Sequence, residues 1–358
     1  MAVGFPTKAN WAAGDVLTAS AMDDLAGTVN IVQYLKPWNQ VLNSNMSIWQ
    51  RGTSTTSTNG NGYFAADRWK IYSGASGRTI SQQSTNDTTN LPNIQYCSRV
   101  ARDSGNTSTG AITYWQNFET LNSKPFAGKA VTFSFYARAG ANYSSASNVL
   151  NAILRTGTGT DQDAFYSGYT GQVDAINVSA TLTTTWQRFS YTATLGATVS
   201  EIATGFTFNP VGTAGAADYY EITGVQLEQG TVANTYQPNG STYQAELAAC
   251  QRYYVRFTGN SNAYYGIINA YSTTQGVAYT ALPVPMRVTP TAVDYASIGY
   301  VVNAAGGITA VTPSINAAYM SPYVAALVYT STGFTASVRY DFGNQGTTAG
   351  YLGLSAEL

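Results

Sequence analysis

Histidine does not occur among the 358 residues, which removes every serine–histidine, cysteine–histidine and histidine–metal arrangement from the chemistry open to this chain. Carboxylate, lysine and tyrosine chemistry is what remains. Cleavage of a glycosidic bond needs two carboxyl groups held across a cleft. Glu119, Glu201, Glu221 and Glu228 are available, but none stands in a context that would raise its pKa, and Glu221 and Glu228 are expected on a sheet surface or an interface. Asp161 and Asp163 alternate in the loop GTGTDQDAF. Such a pair reads as a solvated turn or as part of a structural calcium site, because alternate positions on an extended loop can converge on one ion. Cys97 and Cys250 form no metal-ligand spacing, and no cofactor other than that calcium is expected.

Tyrosines offer more. Rings of Tyr and Trp present an apolar face with a polar handle, suited to the C–H faces of sugars, while amides bond the hydroxyls. Tyr264, Tyr265, Tyr271 and Tyr279, interleaved with Asn260, Asn262, Asn269 and Gln275, have that mixture. The glycan-contact candidates are therefore Tyr264, Tyr265, Tyr271, Tyr279, Asn262 and Asn269. In an alternating strand half of such tyrosines face a core or a subunit interface, so both readings stand. Trp69 and Trp115 are expected as core anchors, and Arg51 and Arg68 as groups that fix the local turn through carbonyls or carboxylates.

The elements that must position these side chains are strands. The chain is 10% charged and 13% aromatic, with 27 Tyr and 34 Gly, a composition that favours β-branched and aromatic strands over helices. A net charge of −1 gives no basic footprint for nucleic acid and no polybasic patch for a membrane surface. The opening MAVGFPTKANW has no charged segment followed by an apolar core, so no secretory signal is expected, and no stretch approaches the length of a membrane helix.

Along the chain, 1–40 reads as an attachment segment. A short helix, with Thr18 at its N-cap, carries Leu17, Ala21, Leu25, Val29 and Val32 as a narrow apolar stripe. It is too short to stand alone, so it is expected to dock on a particle, to bundle subunits, or to fold back on its own domain. Lys36-Pro37-Trp38 ends it. The unit 41–240 opens with Asn43–Trp69, read as a hairpin-like segment bracketed by Trp49 and Trp69. It continues with short alternating strands near 69–72, 95–101, 111–118, 130–137, 149–155, 187–193, 205–208 and 218–227, the pattern of a sandwich or jelly roll. In 241–358, Ser241 or Thr242 caps a short linker helix with Leu247 and Cys250 on one face. Further strands near 278–282, 297–302, 327–330 and 336–340 make a second, distal β-sandwich.

Several phrases carry a family resemblance. N-x-x-x-x-I-W-Q-R-G followed by A-D-R-W (Asn43 to Trp69), G-K-A-V-T-F-S-F-Y-A-R (Gly128–Arg138), T-W-Q-R-F (Thr185–Phe189) and Y-E-I-T-G-V-Q-L-E (Tyr220–Glu228) occur in order. Y-x-x-E-L-x-x-C-Q-R-Y-Y (Tyr243–Tyr254) and the terminal S-A-E-L follow. Together they resemble bacteriophage tail-fibre and receptor-binding virion proteins that contain a jelly roll like that of carbohydrate-binding modules. The resemblance implies a homotrimer in the virion, assembled in the host cytoplasm, with the N-terminal segment on tail, baseplate or capsid proteins and the distal part on bacterial surface polysaccharide. It implies adhesion rather than catalysis. The alternatives are a capsid- or baseplate-associated fibre without a receptor role and, in a different class, a polysaccharide depolymerase.

Overall fold

The computed structural model describes residues 39–57, 60–74, 77–259, 263–301, 308–344 and 350–358. The expected helix with Leu17, Ala21, Leu25, Val29 and Val32 lies outside the described residues. From Ser54 onward, short alternating segments make twelve strands among the described residues. These are β1 (Ser54–Ser57), β2 (Gly60–Gly62), β3 (Lys70–Ser73), β4 (Arg78–Ser84), β5 (Tyr96–Arg102) and β6 (Ile112–Asn117), then β7 (Ala130–Ala139), β8 (Val149–Gly157), β9 (Val173–Thr181), β10 (Gln187–Thr194), β11 (Glu201–Phe208) and β12 (Tyr219–Gln229). They pair antiparallel in two sheets, β1-β4-β5-β12-β7-β10 and β2-β3-β6-β11-β8-β9. The result is a jelly-roll sandwich. In β7, Val131, Phe133, Phe135 and Ala137 point inward and are fully buried, as the two-residue period requires. Phe135 meets Phe206 of the opposite sheet edge to face at 4.8 Å, and Trp69 stacks on Tyr114 at 5.0 Å. Trp69 is thus a core anchor.

Trp115 is also fully buried, but on the other face of its sheet. The chain between β8 and β9 folds over it and lays Phe165 against it at 5.5 Å. Gly205, its cross-strand neighbour, makes the room: a Cβ there would lie 2.7 Å from the Phe165 ring.

Two expectations need correction. The Asn43–Trp69 segment is not one hairpin, because β1 joins the first sheet through β4 and β2 joins the second through β3. The two strands therefore belong to different sheets. What unites the two tryptophan phrases is Asn43, in a left-handed conformation (φ 49°). Its Nδ2 donates to the carbonyls of Ile48 (2.8 Å) and Asp67 (3.0 Å), and its Oδ1 accepts from Ile48 N. Glu221 and Glu228 are not accessible surface groups. Glu221 does lie on an outer sheet face, directly between Arg99 of β5 and Arg138 of β7, but both arginines close over its carboxylate and leave it no exposure. Glu228 is covered by Gln226 and Asn234.

Two helices appear among the described residues, α1 (Thr120–Ser123) and α2 (Tyr243–Gln251). The Thr242 hydroxyl caps α2 by accepting from Ala245 N, the expected stop on an orphan donor. Its buried face is Glu246 and Cys250, with Leu247 only partly covered. The distal unit follows with β13 (Tyr254–Thr258), β14 (Tyr264–Ala270), β15 (Gln275–Ala281), β16 (Ala292–Ala296), β17 (Ile298–Val301), β18 (Ile308–Ala310), β19 (Thr312–Ile315), β20 (Val324–Thr330), β21 (Arg339–Asn344) and β22 (Tyr351–Ser355). A sheet β13-β22-β16 and a sheet β18-β17-β21-β14-β15-β20-β19 enclose one core, to which Val255, Leu352 and Leu354 contribute from the first and Ile268, Leu327, Tyr329 and Phe342 from the second. This is the second sandwich.

The units are joined by charge and aromatic rings rather than by a shared core. Arg68, 1% exposed and held at φ 70°, pairs with Glu357, donates to the Asn117 carbonyl at 2.7 Å and lies 3.5 Å from the centre of the Tyr253 ring. Arg252 grips Glu119 with two bonds of 3.1 and 3.0 Å. Glu246 accepts the backbone N–H groups of Asn43 and Gly240. Removing one member of a buried pair strands the other charge. Glu357→Ala is therefore expected to cost about 3–5 kcal/mol in urea unfolding, whereas Arg68→Met combined with Glu357→Leu should recover most of that loss; a double variant no more stable than Glu357→Ala would contradict the assignment.

Candidate functional site

The predicted glycan-contact residues do not form one cluster. Tyr264 and Tyr271 are exposed (62% and 54%) but stand at opposite ends of β14, separated by about 20 Å of strand. Tyr265 faces the other way. Its ring packs on Phe342 and its hydroxyl donates to the Gly350 carbonyl at 2.7 Å and to Asn344, so it secures the distal sandwich. Asn269 is exposed opposite Val277 of β15, and Tyr279 lies two residues further along β15, edge to face with Tyr319 at 6.4 Å. Asn262 lies outside the described residues. Tyr264, Tyr271 and Tyr279 are each exposed on this sheet.

Residues that sequence reasoning passed over, or assigned to local support, do converge. Between the two sandwiches is a cleft of about 410 Å³ lined by Arg51, Tyr63, Phe64, Tyr254, Arg256, Ala292, Val293, Asp294, Tyr351 and Ser355. Its floor is the outer face of β13-β22-β16. Register sets Tyr254, Ser355 and Ala292 in one row and Arg256, Gly353 and Asp294 in the next. Gly353 at the centre has no side chain, and a Cβ there would fall 2.0 Å from Asp294 Oδ1 and 2.4 Å from the Tyr254 hydroxyl. That gap lets the Tyr254 hydroxyl reach across β22 and donate to the Asp294 carboxylate, 3.1 and 2.9 Å from its two oxygens.

The opposite wall is the first sandwich. Arg51 lies flat on Tyr254, 3.5 Å from the ring centre, and Arg256 lies on Tyr351 at 3.2 Å while donating to the Gln50 carbonyl at 3.0 Å. Gln50 in turn donates to the Tyr254 carbonyl at 2.7 Å. Phe64, 40% exposed, forms the rim. A concave site with aromatic walls and a few convergent polar groups is the usual form of a small-ligand pocket. Arg51 and Arg68 thus act across the domain junction as well as locally, and the signal that could have shown it is that Q-R-Y-Y and W-Q-R-G each put an arginine beside groups able to receive it.

The acidic residues singled out for chemistry are engaged elsewhere. Asp161 Oδ1 accepts Thr120 N at 2.8 Å and Oδ2 lies 3.0 Å from Arg287; Asp163 pairs with Lys70 and accepts the N–H groups of Phe165 and Tyr166. Glu201 accepts Gln162 N at 2.5 Å, and burial raises its pKa. Among the described residues no group of three metal-binding side chains occurs.

No family model matches the chain, and no curated protein matches it. Among solved structures it is similar to a family 4 carbohydrate-binding module (18% identity, 37% of this chain and 71% of that one, TM-score 0.27). It is similar also to the enzymatically active domain of bacteriophage CBA120 tailspike protein 4 (13%, 54% of this chain and 21% of that one, TM-score 0.32). A third is the CBM22-1 xylan-binding domain from Paenibacillus barcinonensis (13%, 50% and 94%, TM-score 0.30).

Beside the cleft, Asp67 accepts Gln50 N at 2.9 Å and is bonded to the Gln50 side chain. Burial raises it to about 6, against the opposing pull of Arg51 and Gln50. An unfolded aspartate ionises near pH 4, so between about pH 4 and 6 the unfolded chain has lost a proton that the folded one keeps, and stability falls as pH rises. Two pKa units correspond to about 3 kcal/mol. Urea unfolding of the parent and of Asp67→Asn from pH 4 to 7 should show the parent losing stability relative to the variant by up to that amount, and parallel curves would refute it.

Proposed function

We propose that this chain is a glycan-binding adhesion protein of a bacteriophage virion, of the tail-fibre or receptor-binding type, with the cleft between its sandwiches as the sugar site. The observation that carries the reading is the cleft itself, where rings of Tyr63, Phe64, Tyr254 and Tyr351 surround two guanidinium groups and one carboxylate. Arg51 and Arg256 cover Tyr254 and Tyr351, so Tyr63 and Phe64 are left to take the apolar side of a pyranose while the charged groups bond its hydroxyls. The virion role, the homotrimer and attachment through residues 1–40 to tail, baseplate or capsid proteins rest on the sequence phrases that resemble such proteins. Copies on one particle would multiply a weak site into firm attachment. Support for binding without bond cleavage comes from Asp294, the sole carboxylate among the residues lining the cleft, where hydrolysis needs two.

One observation favours a second reading, a structural fibre with no receptor. Asn43, Gln50, Asp67, Arg68, Glu246 and Arg252, the polar residues of the most distinctive phrases, have partners within the chain, so a purely architectural role accounts for them.

Fluorescently labelled protein is expected to bind bacterial cells of a susceptible strain and to lose that binding once surface polysaccharide is stripped. Phe64→Ala, at the exposed rim, should weaken binding roughly tenfold, about 1.4 kcal/mol, with the melting temperature unchanged. Attachment that survives polysaccharide removal, or no attachment to any strain in a broad panel, would favour the structural fibre.

A further inference from the structure

The cleft has an imbalance of charge that the chain as a whole lacks. The sequence holds 17 basic and 18 acidic residues, yet the lining places Arg51 and Arg256 against Asp294 alone. Asp67 and Glu357 offset Arg51 in part, whereas Arg256 forms no ion pair among the described residues. Glu357 gives one oxygen to buried Arg68 and leaves the other 3.4 Å from Arg51, at the outer limit of a hydrogen bond. The Asp294 carboxylate faces the Tyr254 hydroxyl.

Both arginines are held in place before any ligand arrives. Arg51 is stacked on Tyr254 and Arg256 on Tyr351, and one Arg256 Nη is fixed by the Gln50 carbonyl. The Arg256 Nε–H is buried and has no partner, and a buried donor without an acceptor is costly. A guanidinium with a fixed plane and a free N–H suits a planar or tetrahedral oxyanion, because its donors form a rigid fork. Neutral hydroxyls would leave the excess positive charge uncompensated in a partly desolvated site.

Resting on the glycan-binding reading of this cleft, we infer that its ligand is an anionic saccharide, whose carboxylate or phosphate group sits between Arg51 and Arg256 while the sugar ring lies against Phe64 and Tyr63. Uronic acids and sugar phosphates share this chemistry. The charged group, rather than the ring hydroxyls, discriminates among surface polysaccharides.

The test uses the full chain and titration calorimetry with trimers of galacturonate and of mannuronate, the methyl ester of each, and galactose 6-phosphate. Esters keep the shape of the acids and remove the charge. At least one acid is expected to bind roughly tenfold tighter than its ester, and the preference should weaken with added salt. Arg256→Gln should bring the ratio of acid to ester affinity down to about one. A sugar phosphate that binds more tightly than both acids would identify phosphate as the anion. Acid and ester binding equally, with both weakened by Phe64→Ala, would overturn the anionic ligand and leave a neutral-sugar cleft. If no acid, ester or phosphate binds at millimolar concentration and Phe64→Ala leaves cell attachment intact, both the inference and the cleft as sugar site fall. The acid-to-ester comparison needs no variant, so a folding defect in Arg256→Gln cannot obscure it.

Discussion

Arg68 and Glu357 are both almost fully buried, and neither charge could remain there without the other. Desolvating a single ion is worth several kcal/mol against the folded state, so the pair ties the position of the distal sandwich to that of the first. Arg68 comes from the turn that leads into β3 of the jelly roll, and its side chain also bonds a carbonyl at the end of β6. Glu357 follows β22, the middle strand of the distal three-stranded sheet. The relative placement of the two sandwiches, and with it the width of the cleft, depends on this contact. Arg252 with Glu119 and Arg287 with Asp161 brace it from the side.

Four phrases from three separate regions of the sequence meet at this junction. W-Q-R-G supplies Gln50 and Arg51, A-D-R-W supplies Asp67 and Arg68, and Q-R-Y-Y supplies Arg252 and the two tyrosines that carry the arginines. S-A-E-L supplies Glu357. Each is short because each provides only one side of a contact. Stacking explains why Tyr253 and Tyr254 are consecutive: alternate directions along the strand send one ring to Arg68 and the other to Arg51.

The strands that alternate cleanly were legible in the sequence. AVTFSFYARA, with every second residue apolar, and the core residues Trp69, Phe133 and Phe135 follow from period and size alone. RTISQQS and VDAINVSAT became β4 and β9 without a clear pattern, because polar residues dominate them and pairing with a neighbour decides the outcome. The Glu221 burial was hidden for a similar reason: a glutamate between two arginines on adjacent strands is apparent only once the register is known. The cleft was the least legible of all. Arg51, Tyr254, Arg256, Asp294 and Tyr351 come from segments up to 300 residues apart, and no local period relates them. Distal tyrosines attracted attention by their density, yet density in a strand says little about which ring faces solvent, as Tyr265 illustrates.

The distal sandwich enters through Tyr254 and leaves through Ser355, which are paired neighbours on adjacent strands. The chain between those residues is joined covalently to the rest at this two-stranded point, with the Arg256–Gln50 and Arg287–Asp161 contacts beside it. Its far loops can lengthen, shorten or change composition without moving either point where the chain crosses the junction, so variation at the outer end is uncoupled from assembly at the inner one. Tension applied to that far end would be divided between β13 and β22, two covalent paths that reach the junction side by side. The same geometry that permits sequence drift at the tip therefore also shares any load between two strands.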